Sequence, residues 1–260
     1  VGYPGYGRNQ SLGASLIVVA GGKCVGRGHA ESAAPCQDAY ATKVLGSVGS
    51  VALADGAGSR KHSDRGAQIC VDAVSGFVAK QFDTLLRLSE TRPEAVSEMI
   101  LQCAVVALRR YVRRKKYGLE DLACTLLFAA YKEGHVLAGH LGDGVIGVQD
   151  ATEVRVLSLP ENGEYANSTF FVTDKGAASR LRIYQFDVTG TVGLMLMSDG
   201  TAESLFNRST KGLAPAVETM FGWARKLPAK KLSAILEQNL EQVFRAKTTD
   251  DCSIAILTTR

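Results

Sequence analysis

Leu53-Ala54-Asp55-Gly56-Ala57-Gly58-Ser59 is the stretch on which the reading of the chain turns. The apolar run Val51 to Ala54 leads into an acid and then two glycines. That is the pattern of a buried strand ending in a tight turn, with Asp55 at its tip. Gly56 and Gly58 let backbone come close to whatever Asp55 holds. A carboxylate beside bare backbone suits a hard cation that takes oxygen ligands. Taken alone, Asp-Gly is equally a hairpin turn with a capping acid. The pattern recurs, however. Asp143-Gly144 follows the apolar-rich Val136 to Leu141, Asp199-Gly200 follows Leu194 to Met197, and Asp250-Asp251 opens the run Cys252 to Leu257.

Around these turns lies enough apolar sequence for one large core. The 260 residues are 46% hydrophobic, which predicts a single domain over residues 1–260. A net charge of +4 does not by itself indicate nucleic acid. Arg109-Arg110 and the run Arg113 to Lys116 read as the positive end of a helix, not as a basic surface interleaved with aromatics. The six cysteines are scattered without a C-x-x-C pair, and most sit in apolar runs. They predict reduced core residues of a cytoplasmic protein. No apolar run reaches the roughly 18 residues of a membrane span, and no secretory signal is visible. The sequence opens on Val1, which leaves open whether native residues precede it, and Val1 to Gly7 reads as a loose leader.

In chain order, Leu12 to Ala20 and Cys24 to Gly28 predict a hairpin about Gly21-Gly22. Asp38 to Leu45 and Val48 to Asp55 predict a second strand pair. Ser63 or Asp64 is placed to cap a helix whose stripe runs from Ala67 to Leu85. Thr91-Arg92-Pro93-Glu94 fits a capping box for another helix. Strands follow at Ala123 to Tyr131, His135 to Leu141, Val145 to Gln149 and Val154 to Leu157. Pro160 to Leu181 is polar and weakly periodic, a flap or a loose loop. Tyr184 to Val188 and Val192 to Asp199 read as a further strand pair. Helices are predicted over Ala214 to Lys226 and from Pro228 to about Phe244, and Cys252 to Thr258 is the last strand.

Strands in hairpin-like groups, with long helices inserted early and late, argue an α+β fold with mostly antiparallel sheets. Asp38, Asp55, Asp199 and Asp250 then lie at strand ends, and Asp143 just after one. If those ends converge, the acidic pocket has no cation adjacent in sequence and is costly unless metal fills it. All-carboxylate ligation with waters selects Mg2+ or Mn2+ over zinc.

The stretches Pro35-Cys36-Gln37-Asp38-Ala39, Leu53 to Gly58, Ala123-Cys124-Thr125, Leu141-Gly142-Asp143-Gly144, Met197-Ser198-Asp199-Gly200 and Thr249-Asp250-Asp251-Cys252-Ser253 resemble the metal-dependent type-2C serine/threonine protein phosphatases in their bacterial form. They run in family order from about residue 12 to 258. The resemblance implies two packed antiparallel β-sheets flanked by helices, an α-β-β-α sandwich. It implies hydrolysis of phosphoserine and phosphothreonine on proteins by a metal-activated water, at a centre of two Mn2+ or Mg2+ ions with a third, weaker one. Asp55 would bridge both ions and the Gly56 carbonyl would add a ligand. Asp199 and Asp250 would hold the other ion, Asp38 would bind a metal or orient its waters, and Asp143 would serve the third. The substrates would be phosphoproteins opposing a serine/threonine kinase, with neither nucleic acid nor membrane as partner and the chain a monomer.

The sequence departs from the family at several positions. Gln37 stands where many relatives have Glu, and Asp251 where many have Asn. Ala57 replaces the His that follows the first acidic turn in many relatives, which leaves His62 as the candidate general acid. No Arg stands clearly before Gln37-Asp38, so phosphate recognition is open among His29, Arg27 and Arg60 with Lys61. These departures keep a second class in view, a phosphatase-fold module that senses or binds without turnover. Metal-dependent hydrolysis of p-nitrophenyl phosphate separates the two. An aspartyl-phosphate phosphatase would need an Asp-x-Asp pair after the first strand, and none is present. The segment 160–181, with Phe170, Phe171, Arg180 and Arg182, is expected to be a flap that meets acidic substrates.

Overall fold

The computed structural model describes residues 16–161 and 169–260. The expected leader and the middle of the expected flap, residues 162–168, lie outside the described residues. The chain begins with β1 (Ile17–Cys24), the short α1 (Arg27–Glu31), β2 (Ala39–Leu45) and β3 (Val48–Ala54). Two long helices follow, α2 (Ser63–Thr91) and α3 (Pro93–Val112), then β4 (Leu126–Lys132), β5 (His135–Leu141), β6 (Val145–Gln149) and β7 (Val154–Ser158). After α4 (Ala177–Arg180) come β8 (Arg182–Asp187), β9 (Gly193–Met197) and α5 (Asp199–Leu205). The chain continues through β10 (Phe206–Asn207), β11 (Gly212–Leu213), α6 (Pro215–Lys226), α7 (Ala229–Asn239) and β12 (Cys252–Thr259).

Strand β3 shows why the sequence stacks into layers. All of its residues are buried. Side chains alternate across a strand. Val48, Ala52 and Ala54 pack among α2 and α3, while Val51 and Leu53 pack against the other sheet. A strand covered on both faces reads as a continuous apolar run, which is how Val51 to Ala54 reads. The five-stranded sheet β2-β3-β4-β5-β8 and the five-stranded sheet β1-β12-β9-β6-β7 are antiparallel throughout. Between them lie Val51, Leu53, Leu127, Ile146, Leu194, Leu196 and Leu257. Burying each such side chain is worth about 1.5–3 kcal/mol. The outer face of the second sheet is covered by α6 and α7 through Met195, Met197, Phe221, Leu232 and Ile256. Two packed sheets flanked by helices are the expected architecture.

Four local expectations are corrected. Gly21-Gly22 is not a turn, because β1 runs straight through it and pairs with β12 along its length. A Cβ on Gly21 would lie 2.5 Å from the Tyr40 ring, and one on Gly22 would lie 2.9 Å from the Glu237 backbone in α7. Close packing on both faces, not a bend, asks for the two glycines. Strands β8 and β9 do not pair with each other; β8 joins β5 in the first sheet and β9 joins β12 and β6 in the second. The capping box at Thr91 is absent. Thr91 ends α2, Arg92 caps α3 without a side-chain bond, and Pro93 takes the first turn. Likewise α2 starts at Ser63 behind His62, so Ser63 is inside the helix, its hydroxyl donating to the Arg60 carbonyl.

Gly66 sets the seat of α2. A Cβ there would fall 2.0 Å from the Leu122 carbonyl oxygen. Gly66→Ala is expected to destabilise the protein by about 1–3 kcal/mol, overpacking outweighing the better helix propensity. Denaturant unfolding checks this, and a neutral or stabilising result would show that α2 can shift freely.

Candidate active site

Strand ends bring five aspartates to the same end of the two sheets. Asp38 precedes β2 and Asp55 follows β3, and the Ala39–Ala54 pair holds those strand ends side by side. Asp55 is fixed by Thr125: its N–H donates to Thr125 Oγ1 at 2.9 Å, and its carbonyl accepts from the Thr125 N–H at 2.8 Å. Gly56 faces Cys124, with the bridging bonds made by the residues on either side, so the Gly56 carbonyl stays out of the ladder. A Cβ on Gly56 would lie 2.8 Å from the Ser63 carbonyl and 2.9 Å from the Gln37 carbonyl. Packing therefore demands this glycine independently of any ligand role. Asp143 lies on the link between β5 and β6, which belong to different sheets, so the Gly-Asp-Gly stretch is a crossing and not a hairpin. Thr169 donates its hydroxyl to Asp143. Asp199 follows β9 and opens α5, where its carboxylate accepts the Gly200 N–H at 2.7 Å. Asp250 precedes β12 and accepts the Asp251 N–H at 2.8 Å.

Their charges act on one another. Burial pushes the Asp55 carboxyl well above the ordinary carboxylate range, and the charges of Asp38, Asp199, Asp250 and Asp143 push it further. Burial raises Asp199 to about 7, reinforced by Asp250, Asp143 and Asp38. Asp38 is raised to about 6, again chiefly by burial, with the Ser253 and Ser198 hydroxyls pulling the other way. Burial also raises Asp250. Asp38 is 1% exposed, and neither of its carboxylate oxygens has a hydrogen-bond partner among the described residues. Buried carboxylates in that condition are costly, and a cation is what relieves them. The donor set is all oxygen, which fits magnesium or manganese. Among the described residues no three acidic, His or Cys side chains close around a single ion by themselves. Ions that keep several of their waters suit such an open set.

A cavity of about 270 Å³ opens on this cluster. Asp55, Asp143 and Asp250 line it, together with His29, Gln37, Thr125, Thr169 and Phe171. Of the candidates for phosphate contact, the structure brings His29 to the cavity and not the other two. Arg27 is exposed and donates Nε to the Thr248 carbonyl at 3.0 Å, and Arg60 is exposed on the turn after Gly58. The structure does not bring His62 there either. Its ring stacks on Tyr117 with centroids 3.7 Å apart, and its N–H donates to the Asp121 carbonyl, pinning the start of α2. Within 160–181, residues 169–181 are built into the body of the protein. Val172 is buried and donates its N–H to the Cys124 carbonyl at 2.9 Å. Arg180 and Arg182 pair with Glu161 at 3.6 and 3.3 Å, and Arg180 covers the Phe170 ring. Both are engaged with Glu161, and the Arg180 side chain stays half exposed.

Sequence reasoning passed over Asp251, Thr125 and Thr169. Asp251 is 1% exposed and accepts three hydrogen bonds, from the N–H groups of Gly26 and Gln37, each at 2.6 Å, and from His29 at 2.9 Å. Its signal was the second acid of Asp250-Asp251. Thr125 stands in the Ala-Cys-Thr stretch. Thr169, distant in sequence, gives no signal of its own.

The chain matches the protein phosphatase 2C family over residues 25–241. It is 27% identical over 169 residues, 62% of its length, to serine/threonine-protein phosphatase 3 of Escherichia coli strain K12, and the match spans 64% of that relative. The solved structure of a bacterial serine phosphatase superposes with a TM-score of 0.60 at 14% identity, covering 94% of this chain and 98% of that one. The catalytic domain of the serine/threonine protein phosphatase PstP, solved with two manganese ions, gives 0.58 at 14% identity, covering 94% and 99%. Both structural likenesses are of fold. The sequence match, which takes in Asp38, Asp55, Asp143 and Asp199, makes this chain a member of the protein phosphatase 2C family.

Proposed function

We propose that this chain hydrolyses phosphoserine and phosphothreonine on proteins at an aspartate centre loaded with divalent manganese or magnesium. The observation that carries the reading is the convergence of five carboxylates, the buried Asp38 oxygens having no hydrogen-bond partner among the described residues. Asp55, with the Gly56 carbonyl beside it, would be the ligand shared by two ions. Asp199 and Asp250 would hold the second ion, Asp38 would bind a metal or orient its waters, and Asp143 would serve a third, weaker ion. When bound, such ions lower the pKa of water and neutralise charge on the phosphoryl oxygens. The chain supplies position: Thr125 fixes Asp55, Thr169 fixes Asp143, and the turn at Gly58 leaves room for the phosphoryl group. The match to a serine/threonine phosphatase and the six unpaired cysteines fit phosphoprotein substrates opposed to a kinase in a reducing compartment. We read the active unit as a monomeric, single catalytic domain.

Assay on phosphoserine, phosphothreonine and phosphotyrosine peptides, with manganese and with a chelator, tests the reading. Manganese-dependent turnover on the first two is expected. Metal binding without turnover on any of them, or on p-nitrophenyl phosphate, would favour the sensing or binding module that Ala57 and the absence, among the described residues, of an Arg lining the cavity motivate. The packed part of 160–181 carries its own expectation. Replacing residues 169–178 by a Gly-Ser linker is expected to lower the melting temperature. It also lowers kcat on p-nitrophenyl phosphate and phosphopeptides alike, because Val172 and Thr169 are removed from the site wall. Loss confined to phosphopeptides would instead make this part a substrate-selecting flap.

A further inference from the structure

Ala57 leaves the first acidic turn without a histidine, and His62 is spent on Tyr117, so the leaving oxygen needs a proton from elsewhere. We infer that His29, held by Asp251, gives that proton to the departing seryl or threonyl oxygen. The inference rests on the phosphatase reading above and adds a donor to it.

The geometry supports it in three ways. First, His29 lines the same cavity as Asp55, Asp143 and Asp250, and its side chain is 24% exposed, open to a substrate yet held in place. Second, Asp251 is an acceptor only, so its bond at 2.9 Å fixes the proton of His29 on Nδ1 and leaves Nε2 as the ring atom available to the cavity. As a donor the ring carries a second proton, on Nε2, the nitrogen that the Asp251 bond leaves free. Third, the support is rigid. Asp251 carries the Gly26 and Gln37 N–H groups at 2.6 Å, and Gly28 donates its N–H to the Thr249 carbonyl at 2.9 Å, so the short helix bearing His29 is tied to the strand end bearing Asp250.

A water oxygen bonds to phosphorus as the bond from phosphorus to the seryl or threonyl oxygen breaks. The Nε2 proton passes to that oxygen, releasing the alcohol. A proton from the water restores His29, and inorganic phosphate leaves. His29 is the catalytic residue, and Asp251 is a positioning residue that acts through it.

Leaving groups separate this role from phosphate binding. p-Nitrophenolate departs as a stable anion and needs little help from a proton donor, whereas a serine alkoxide needs it fully. General acids contribute about 10²–10⁴-fold. His29→Gln is therefore expected to lower kcat on a phosphoserine peptide by about 10²-fold or more, with less than tenfold loss on p-nitrophenyl phosphate. Asp251→Asn is expected to show the same split. Nitrogen-15 NMR of the metal-free protein is expected to show His29 protonated at Nδ1, and this signature should vanish in Asp251→Asn. Equal losses on both substrates with a raised KM would make His29 a phosphate holder and overturn the inference, as would full phosphopeptide turnover in His29→Gln or a neutral wild-type ring whose single proton sits on Nε2. A wild type inert on both substrates would overturn the phosphatase reading instead, while the NMR result still decides the pairing.

Discussion

Asp55→Asn is expected to abolish turnover while raising the melting temperature of the metal-free protein. The two effects have one cause. Asp55 is buried and stands in the field of Asp38, Asp199, Asp250 and Asp143, so its charge is unfavourable until cations arrive. Asn keeps the shape and the backbone bonds to Thr125 but removes the charge. Without metal the variant is relieved of a repulsion. With metal it lacks the ligand that two ions share. Metal ions supply several kcal/mol of transition-state stabilisation, so the loss in kcat/KM is expected to reach about 10³-fold or more. Calorimetry should show manganese binding weakened at both tight sites together. Unchanged manganese-dependent turnover would remove Asp55 from the centre. A fall in metal-free stability would make it a structural acid.

The second large effect is a reversal of pH dependence on metal removal. In the unfolded chain an aspartate titrates at about 3.9. In the folded, metal-free protein Asp38 titrates at about 6 and Asp199 at about 7. Between about pH 4 and 7 the folded state therefore holds protons that the unfolded state has released, and stability falls as pH rises through that window. In chelator the melting temperature is expected to be higher at pH 5.5 than at pH 7.5. Saturating manganese should raise it most at pH 7.5, where the carboxylates are already ionised, and least at pH 5.5, where protons compete. A chelated protein that melts higher at pH 7.5 would show that the fold does not hold these carboxyls above the ordinary aspartate range.

Much of this was legible along the chain because its causes are local. A strand buried on both faces writes itself as an apolar run, and an acid followed by glycine marks where it stops. That sufficed to place Asp38, Asp55, Asp199 and Asp250 at strand ends, and to give the helices α2, α3 and α6 close to their observed bounds. What the sequence misreported depends on neighbours far away in it. Gly21-Gly22 has the local form of a turn, but Tyr40 and Glu237 are the reason for it. β8 and β9 are adjacent in sequence yet lie in different sheets, because the partners that bury them differ. His62 was attractive for its nearness to Gly58, and Tyr117 takes it away. Arg180 and Arg182 look free until Glu161 is placed beside them. Asp251 shows the converse. Its neighbour Asp250 drew attention as the ligand, while the buried hydrogen bonds that make Asp251 a hub are all to residues more than 200 positions earlier.

The pairing of β1 with β12 along its whole length has a consequence for how the protein is made. The sheet β2-β3-β4-β5-β8 has all its strands once residue 187 has been synthesised, and it can assemble while the rest of the chain is still being made. The other sheet cannot, because β12 sits between β1 and β9 and is the last of the described strands to emerge. Contacts of such long separation form late and slowly. A nascent chain thus carries Asp38, Asp55 and Asp143 long before Asp250 arrives to complete the cluster. Until β12 is made the aspartate cluster lacks Asp250, so the order of synthesis completes the site after the first sheet.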